Sequence, residues 1–208
     1  PARRCFRRRR TPELEQVQVS LSSLDGLAQD VQQGARHVAR IVADLNVFAS
    51  RGTARKTCNV IERMEWALRV ANAAIVRHGR VTRIFAAVPL AGVDEGRLSQ
   101  VFLNLLLNAA DAMRETERAT NELTVSIGLE EPSASDGAGH ILVSVADTGV
   151  GMPADVLKRI FEPFFTTKPL GAGTGLGLAV CQGLVTDMGG TIGVTSAPGN
   201  GSRFVVRL

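Results

Sequence analysis

The stretch that most narrows what this chain can fold into is residues 94–115, "DEGRLSQVFLNLLLNAADAMRE". Leu98, Val101, Phe102, Leu105, Ala109, Ala112 and Met113 recur at three- and four-residue steps. That spacing predicts a long helix with one face in a core. Asn104, Asn108 and Asp111 stand four and three apart along the edge of that face. Asparagine is a mediocre helix former, and a buried amide left unpaired costs about 1–3 kcal/mol, so both asparagines need partners. Neighbouring backbone could supply them. A hard cation such as Mg²⁺ could as well, because amide carbonyls and water suit it.

Around this helix the pattern is α first, then mixed. Residues 58–77 read as a helix through Val60, Ile61, Met64, Ala67, Leu68, Ala71 and Ile75. Strand-like segments lie at 80–87, 122–129, 140–146, 190–196 and 202–208, and further helical patterns at 153–161 and 175–188. "EEPSASDGAG" at 130–139 is a surface loop. The expected fold is a two-layer α/β sandwich: a mixed, largely antiparallel five-stranded sheet and about three helices, preceded by a long N-terminal helix. In that helix, within 12–51, Ala35, Val38, Ile41, Val42, Leu45 and Phe48 make an apolar seam opposite Arg36, Arg40 and Asp44. The seam needs a partner helix from upstream or from a second copy. "GTARKT" at 52–57 is a hinge. The expected division is a basic tail at 1–11, the helix and hinge at 12–55, and a catalytic domain at 56–208.

Charge excludes less than it first suggests. The formal +4 comes from "PARRCFRRRR"; positions 11–208 hold 18 basic and 20 acidic residues, a net −2. The basic character belongs to a tail, and no nucleic-acid partner is expected. Cys5, Cys58 and Cys181 are odd in number and far apart, which argues against a disulfide or zinc framework and fits a reducing, cytoplasmic setting. No apolar run approaches the roughly 20 residues of a membrane span. The chain starts at Pro1 without methionine and is expected to be a piece of something longer.

Two further stretches suggest chemistry. In "HILVSVADTGVGMP" (140–153) an alternating strand ends at Asp147 and turns at once through Gly149 and Gly151. Asp147 either caps that turn through its own backbone or accepts from a ligand amine. Adenine carries an exocyclic amine where guanine has a carbonyl, so a fixed carboxylate would select adenine. In "KPLGAGTGLGLAV" (168–180) glycine occupies every second position from 171 to 177, ahead of a helical face of Leu176, Ala179, Val180, Leu184, Val185 and Met188 with Thr174 as its expected N-cap. The stretch is either a flexible turn or a phosphate cradle in which the amides of Gly175, Leu176 and Gly177 face an anion. A dinucleotide fingerprint is excluded because no strand precedes these glycines. A Walker loop is excluded because no Lys-Ser or Lys-Thr follows them.

Taken together, "QVFLNLLLNAADAM", "DTGVGMP", "IFEPFFTTK", "GTGLGLAV" and "GGTIGVTSAPGNGSRFVVRL" resemble, in order and spacing, the asparagine box, first glycine box, phenylalanine box, second glycine box and terminal strand pair of bacterial sensor histidine kinases. These belong to the ATPase superfamily shared with DNA gyrase, MutL and the large heat-shock chaperone. The resemblance covers about 58–208. It implies Mg·ATP as the cofactor, with Asn108 as metal ligand, Asn104 near the triphosphate and Asp111 on the same stripe. Asp147 would hold the adenine amine with Gly149, Gly151 and Ser202. Lys168, on a mobile lid over 164–174, would reach the terminal phosphates, with Thr174, Gly175, Leu176 and Gly177 around them. Phe161, Phe164 and Phe165 would anchor the lid.

Hydrolysing relatives carry glutamate where Asn104 stands; an amide cannot activate water as a base, so the resemblance implies phosphotransfer to a histidine. Neither His37, His78 nor His140 has the sequence context of the acceptor, and "GARHVARIVADLNVFAS" is similar to the second helix of the dimerisation hairpin. The implied partners are a second copy through the N-terminal helix, a histidine-bearing helix of the full-length kinase and a response-regulator receiver domain. Membrane attachment of the full-length protein stays open. So do two other readings: a nucleotide-sensing pseudokinase and a hydrolysing ATPase.

Overall fold

The computed structural model describes residues 57–116, 121–130, 139–169 and 173–208. The expected basic tail and N-terminal helix lie outside these residues, as does the loop at 131–138. Helix α1 (Val60–Ile75) starts where Asn59 accepts from the amides of Ile61 (3.1 Å) and Glu62 (3.3 Å) and donates back to the Glu62 carboxylate (3.0 Å). Two orphan amides of the first turn are thereby satisfied. Its buried residues are Val60, Met64, Ala67, Leu68, Ala71 and Ile75.

Helix α2 (Glu95–Arg114) is capped by Asp94, which accepts from the Arg97 amide at 2.9 Å. Its buried face is wider than the periodicity indicates, adding Leu106 and Ala110 to the expected set. The reason is that α2 packs on α1, on the sheet and on a later helix at once. Ala112 is only half-buried, at the end of the helix that meets the Gly149 turn.

The strands are β1 (Arg80–Phe85), β2 (Glu122–Glu130), β3 (His140–Asp147), β4 (Thr191–Ser196) and β5 (Ser202–Arg207), ordered β1-β2-β3-β5-β4. The β1–β2 pair is parallel, as the α2 crossover between them allows, and the others are antiparallel. The sheet is therefore mixed and largely antiparallel, as expected. Leu123, Val125 and Ile127 alternate with Ile141, Val143, Val145, Phe204 and Val206 toward the helices.

Four helices stand among the described residues where about three were expected. Helix α3 (Ala154–Leu157) is a single turn rather than the predicted run to 161, and turns follow it. Helix α4 (Gly177–Asp187) buries Val180, Cys181, Leu184 and Val185. It starts two residues later than predicted, because Gly175 adopts a left-handed φ of 66° that a helix cannot continue.

One buried amide ties the end of α2 to the sheet. Asn121, 2% exposed, donates to the carbonyls of Met113 (2.9 Å) and Thr116 (3.5 Å) and accepts from the Thr116 hydroxyl (2.9 Å). Thr148 joins from beyond β3: its hydroxyl accepts from the Glu122 amide at 2.9 Å and lies 3.4 Å from Asn121 Oδ1. These bonds close carbonyls that a helix terminus leaves unpaired. Asn121→Ala should therefore cost about 1–3 kcal/mol of stability. Urea unfolding checks this, and a loss below about 0.5 kcal/mol, the ordinary scatter of surface changes, would show the network to be dispensable.

Candidate functional site

Two segments meet on α2: the turn after β3 docks on its C-terminal end, and the segment leading into α4 packs on its polar edge. Asp147, the last residue of β3, is 7% exposed. Its Oδ1 accepts from the Gly149 amide at 2.8 Å. Burial pushes its carboxyl above the ordinary range, and the amides of Gly149, Ser202 and Asp147 itself pull the other way without cancelling that effect. Asp147 thus caps its own turn and still carries a carboxylate poorly compensated by the protein.

The turn has no room for side chains. A Cβ on Gly149 would lie 2.6 Å from the Ala112 carbonyl carbon, and one on Gly151, whose φ is 67°, would run into the Ala197 carbonyl oxygen. The Val150 amide donates to Ala112 (3.2 Å), docking the turn on α2. Across the sheet, Ser202 sits in register with Asp147. Ser196, which the sequence reading missed, joins the parts: its hydroxyl accepts from the Met152 amide (2.9 Å), donates to the Gly201 carbonyl (2.8 Å) and lies 3.0 Å from Ser202 Oγ. Because the Ser196 proton is spent on Gly201, the Ser202 hydroxyl donates to Ser196 and keeps its lone pairs for an incoming donor.

On α2, Asn104 is buried; it donates to the Gly177 carbonyl (3.3 Å) and accepts from Gln100 (3.4 Å). Backbone pairing therefore accounts for this amide. One turn on, the side chain of half-buried Asn108 has no hydrogen-bond partner among the described residues. Asp111 accepts from Lys168 Nζ at 2.6 Å.

At the base of the predicted lid, backbone meets backbone: a Cβ on Gly175 would collide with the carbonyl carbon of Phe164. Phe161 and Phe165 pack against the core, and the Arg159 guanidinium lies 4.3 Å from the Phe165 ring centroid. Phe164 departs from expectation. It is 74% exposed at a φ of 66°, so it anchors nothing; the left-handed turn that lets Gly175 approach swings its ring outward. Thr174 is not the N-cap of α4. Its hydroxyl accepts from the Leu176 amide at 3.2 Å, which removes that amide from those facing an anion. The Gly177 amide opens α4 and has no intrahelical acceptor.

Among the described residues no three His, Cys, Asp or Glu side chains gather as a metal site. A cation here would depend on the unspent Asn108 amide, whose oxygen suits Mg²⁺. Cys58 and Cys181 are buried thiols, and Cys181 Sγ donates to the Val101 carbonyl at 3.8 Å. His78 and His140 are half-buried, at the end of α1 and the start of β3, away from the turn.

A buried carboxylate at a strand exit, a glycine turn beside it and an asparagine helix edge thus stand on one two-layer α/β sandwich. The chain belongs to the histidine kinase-, DNA gyrase B-, and HSP90-like ATPase family, whose model matches residues 93–208. Among its relatives are sensor kinases. It is 36% identical to the sensor kinase CckA of Brucella abortus over 86% of this chain and 20% of that one. It is 46% identical to the sensor histidine kinase ZraS of Klebsiella oxytoca over 55% of this chain and 22% of that one. The chain thus spans about a fifth of the length of these relatives. The crystal structure of full-length ShkA in complex with AMPPNP superposes with a TM-score of 0.68 at 26% identity, covering 89% of this chain and 38% of that one.

The raised pKa of Asp147 has a stability consequence. With the folded value above the unfolded one, the charged form is penalised in the fold, and the penalty is relieved as pH falls through the folded pKa. Asp147→Asn should therefore unfold at a higher temperature than the parent at pH 7, with the difference shrinking toward pH 4. Thermal melts across that range check it; a variant less stable than the parent at every pH would mean the carboxylate is well compensated.

Proposed function

We propose that this chain is the ATP-binding catalytic portion of a two-component sensor histidine kinase, which transfers the γ-phosphate of Mg·ATP to a histidine borne on another element. The observation that carries the reading is Asp147. A buried carboxylate with its pKa raised, facing a turn too tight for side chains, has unused acceptor capacity, and the six-amino group of adenine supplies the missing donor. Ser202 Oγ offers a second acceptor beside it. Asn108 is assigned to Mg²⁺, which when bound neutralises charge on the phosphate oxygens. Lys168 and the Gly177 amide face the phosphates.

Transfer is favoured over hydrolysis by Asn104. Its amide is engaged with Gly177 and Gln100 and has no basic lone pair with which to take a proton from water. The relatives' name, sensor kinase, supports the same class. By this reading the chain acts as a homodimer through its N-terminal helix, with the acceptor on a preceding helix and a response-regulator receiver domain as the next phosphate acceptor. The catalytic portion lies on the cytoplasmic side. No described helix is long and apolar enough to cross a membrane.

Calorimetry with ATP and GTP tests the adenine assignment: Asp147→Asn should lose about 1.5–3 kcal/mol of ATP affinity, the value of a hydrogen bond to a charged group. Equal parent affinity for GTP would remove Asp147 from base recognition. For the metal, Asn108→Ala should abolish the Mg²⁺-dependent part of ATP affinity, while Asn104→Ala keeps it. If Asn104→Ala alone loses it, the two roles are exchanged. Finally, the chain should bind ATP without labelling itself, and a separate acceptor-bearing hairpin from the full-length kinase should take label from the γ-phosphate as an acid-labile, base-stable adduct. Binding with no transfer would leave a nucleotide sensor; free phosphate without phosphoprotein would make it a hydrolase.

A further inference from the structure

Lys168 is held at both ends of its side chain. Its backbone amide donates to Thr166 Oγ1 at 3.1 Å, and Gly173 comes so close that a Cβ there would lie 3.1 Å from Lys168 Cδ. Its ammonium donates to Asp111 Oδ2 at 2.6 Å, with only 22% and 25% of the two side chains exposed. Two turns earlier on the same edge of α2, Asn104 donates to the carbonyl of Gly177, the first residue of α4.

We propose that Asp111 is the positioning residue for Lys168, and that with Asn104 it makes α2 a two-point clamp on Lys168 and on the start of α4. At 1.5 Å per residue the two contacts lie about 10 Å apart along the helix, with Asn108 between them. The clamp therefore puts a cation and a helix N-terminus on either side of Asn108, the α2 asparagine whose amide is unspent. An ammonium has three donors; one on Asp111 leaves two for a ligand, so the pair orients Lys168 without disabling it. Arg114, 3.9 Å from Asp111 Oδ1, offsets the carboxylate, and the trio keeps a net charge of +1 beside Asn108. A free lysine would lose side-chain entropy on meeting a ligand; a lysine already held by Asp111 has given up most of it in the fold.

The inference rests on the proposed function only in taking Lys168 as a phosphate-facing cation; the clamp itself is tested without nucleotide. Hydrogen exchange of the whole chain is measured for the parent, Asp111→Asn, Lys168→Met, the double variant, and the charge swap Asp111→Lys with Lys168→Asp. Each single change should speed exchange in 164–169 by about fivefold or more. The double should be no faster than either single, and the swap should bring slow exchange back. With ATP, both singles should weaken binding by similar factors, and the swap should not recover it, since a carboxylate then occupies the position facing the phosphates. Parent-like exchange in Asp111→Asn, or single effects that add in the double, would overturn the clamp. Coupled exchange in a parent chain that binds no ATP would leave the clamp standing and remove the functional reading instead.

Discussion

A helix packed against three neighbours cannot rotate, and α2 is such a helix. Its apolar face meets α1, the sheet and α4, and the residues on that face, from Leu98 to Met113, are close to fully buried. Turning it by one residue would bring polar side chains into the core and expose Leu105 or Leu106, at about 1.5–3 kcal/mol for each large side chain displaced. The direction of Asn104, Asn108 and Asp111 is therefore a consequence of core packing. The same packing brings the C-terminal carbonyls of α2 to Asn121 and to the turn after β3, so the helix edge and the Asp147 turn are held as one piece.

The other constraint is the absence of side chains where backbones meet. Gly149 lies on Ala112, Gly151 on Ala197 and Gly175 on Phe164, all closer than a Cβ permits. The first two close the turn beside Asp147, and burial there pushes its carboxyl up rather than down. A site that excludes water strengthens every charge-assisted bond made inside it. The cost falls on the unliganded fold, in keeping with strain and uncompensated charge gathering at functional sites.

Much of this was legible beforehand. The elements and the character of the sheet follow from alternation in segments such as "HILVSV" and from the three- and four-residue steps of 94–115, because periodicity is a property of neighbouring residues. Boundaries failed at two helices: α4 starts at Gly177, after left-handed Gly175, rather than at 175, and α3 ends after one turn. Phe164 reads as a core aromatic in "EPFFTT" and stands in solvent, since only its backbone conformation distinguishes it from Phe165. Ser196 carried no signal at all. A serine near a strand end becomes a three-way junction only when Met152 and Gly201 are brought to it.

The sequence by itself determined which segments are helix and strand, which faces are buried and which residue types border the site, because hydrophobic spacing acts within a few residues. Its ordered motifs also settled the family. What only the tertiary structure decided is how the polar residues divide their work. Asn104 is committed to Gly177, 73 residues away, and Asp111 to Lys168, 57 away, while Asn108 is left uncommitted. Three side chains on one helix edge look equivalent until distant segments pack against them. Hydrogen-bond capacity is used or left over according to geometry that no local pattern encodes.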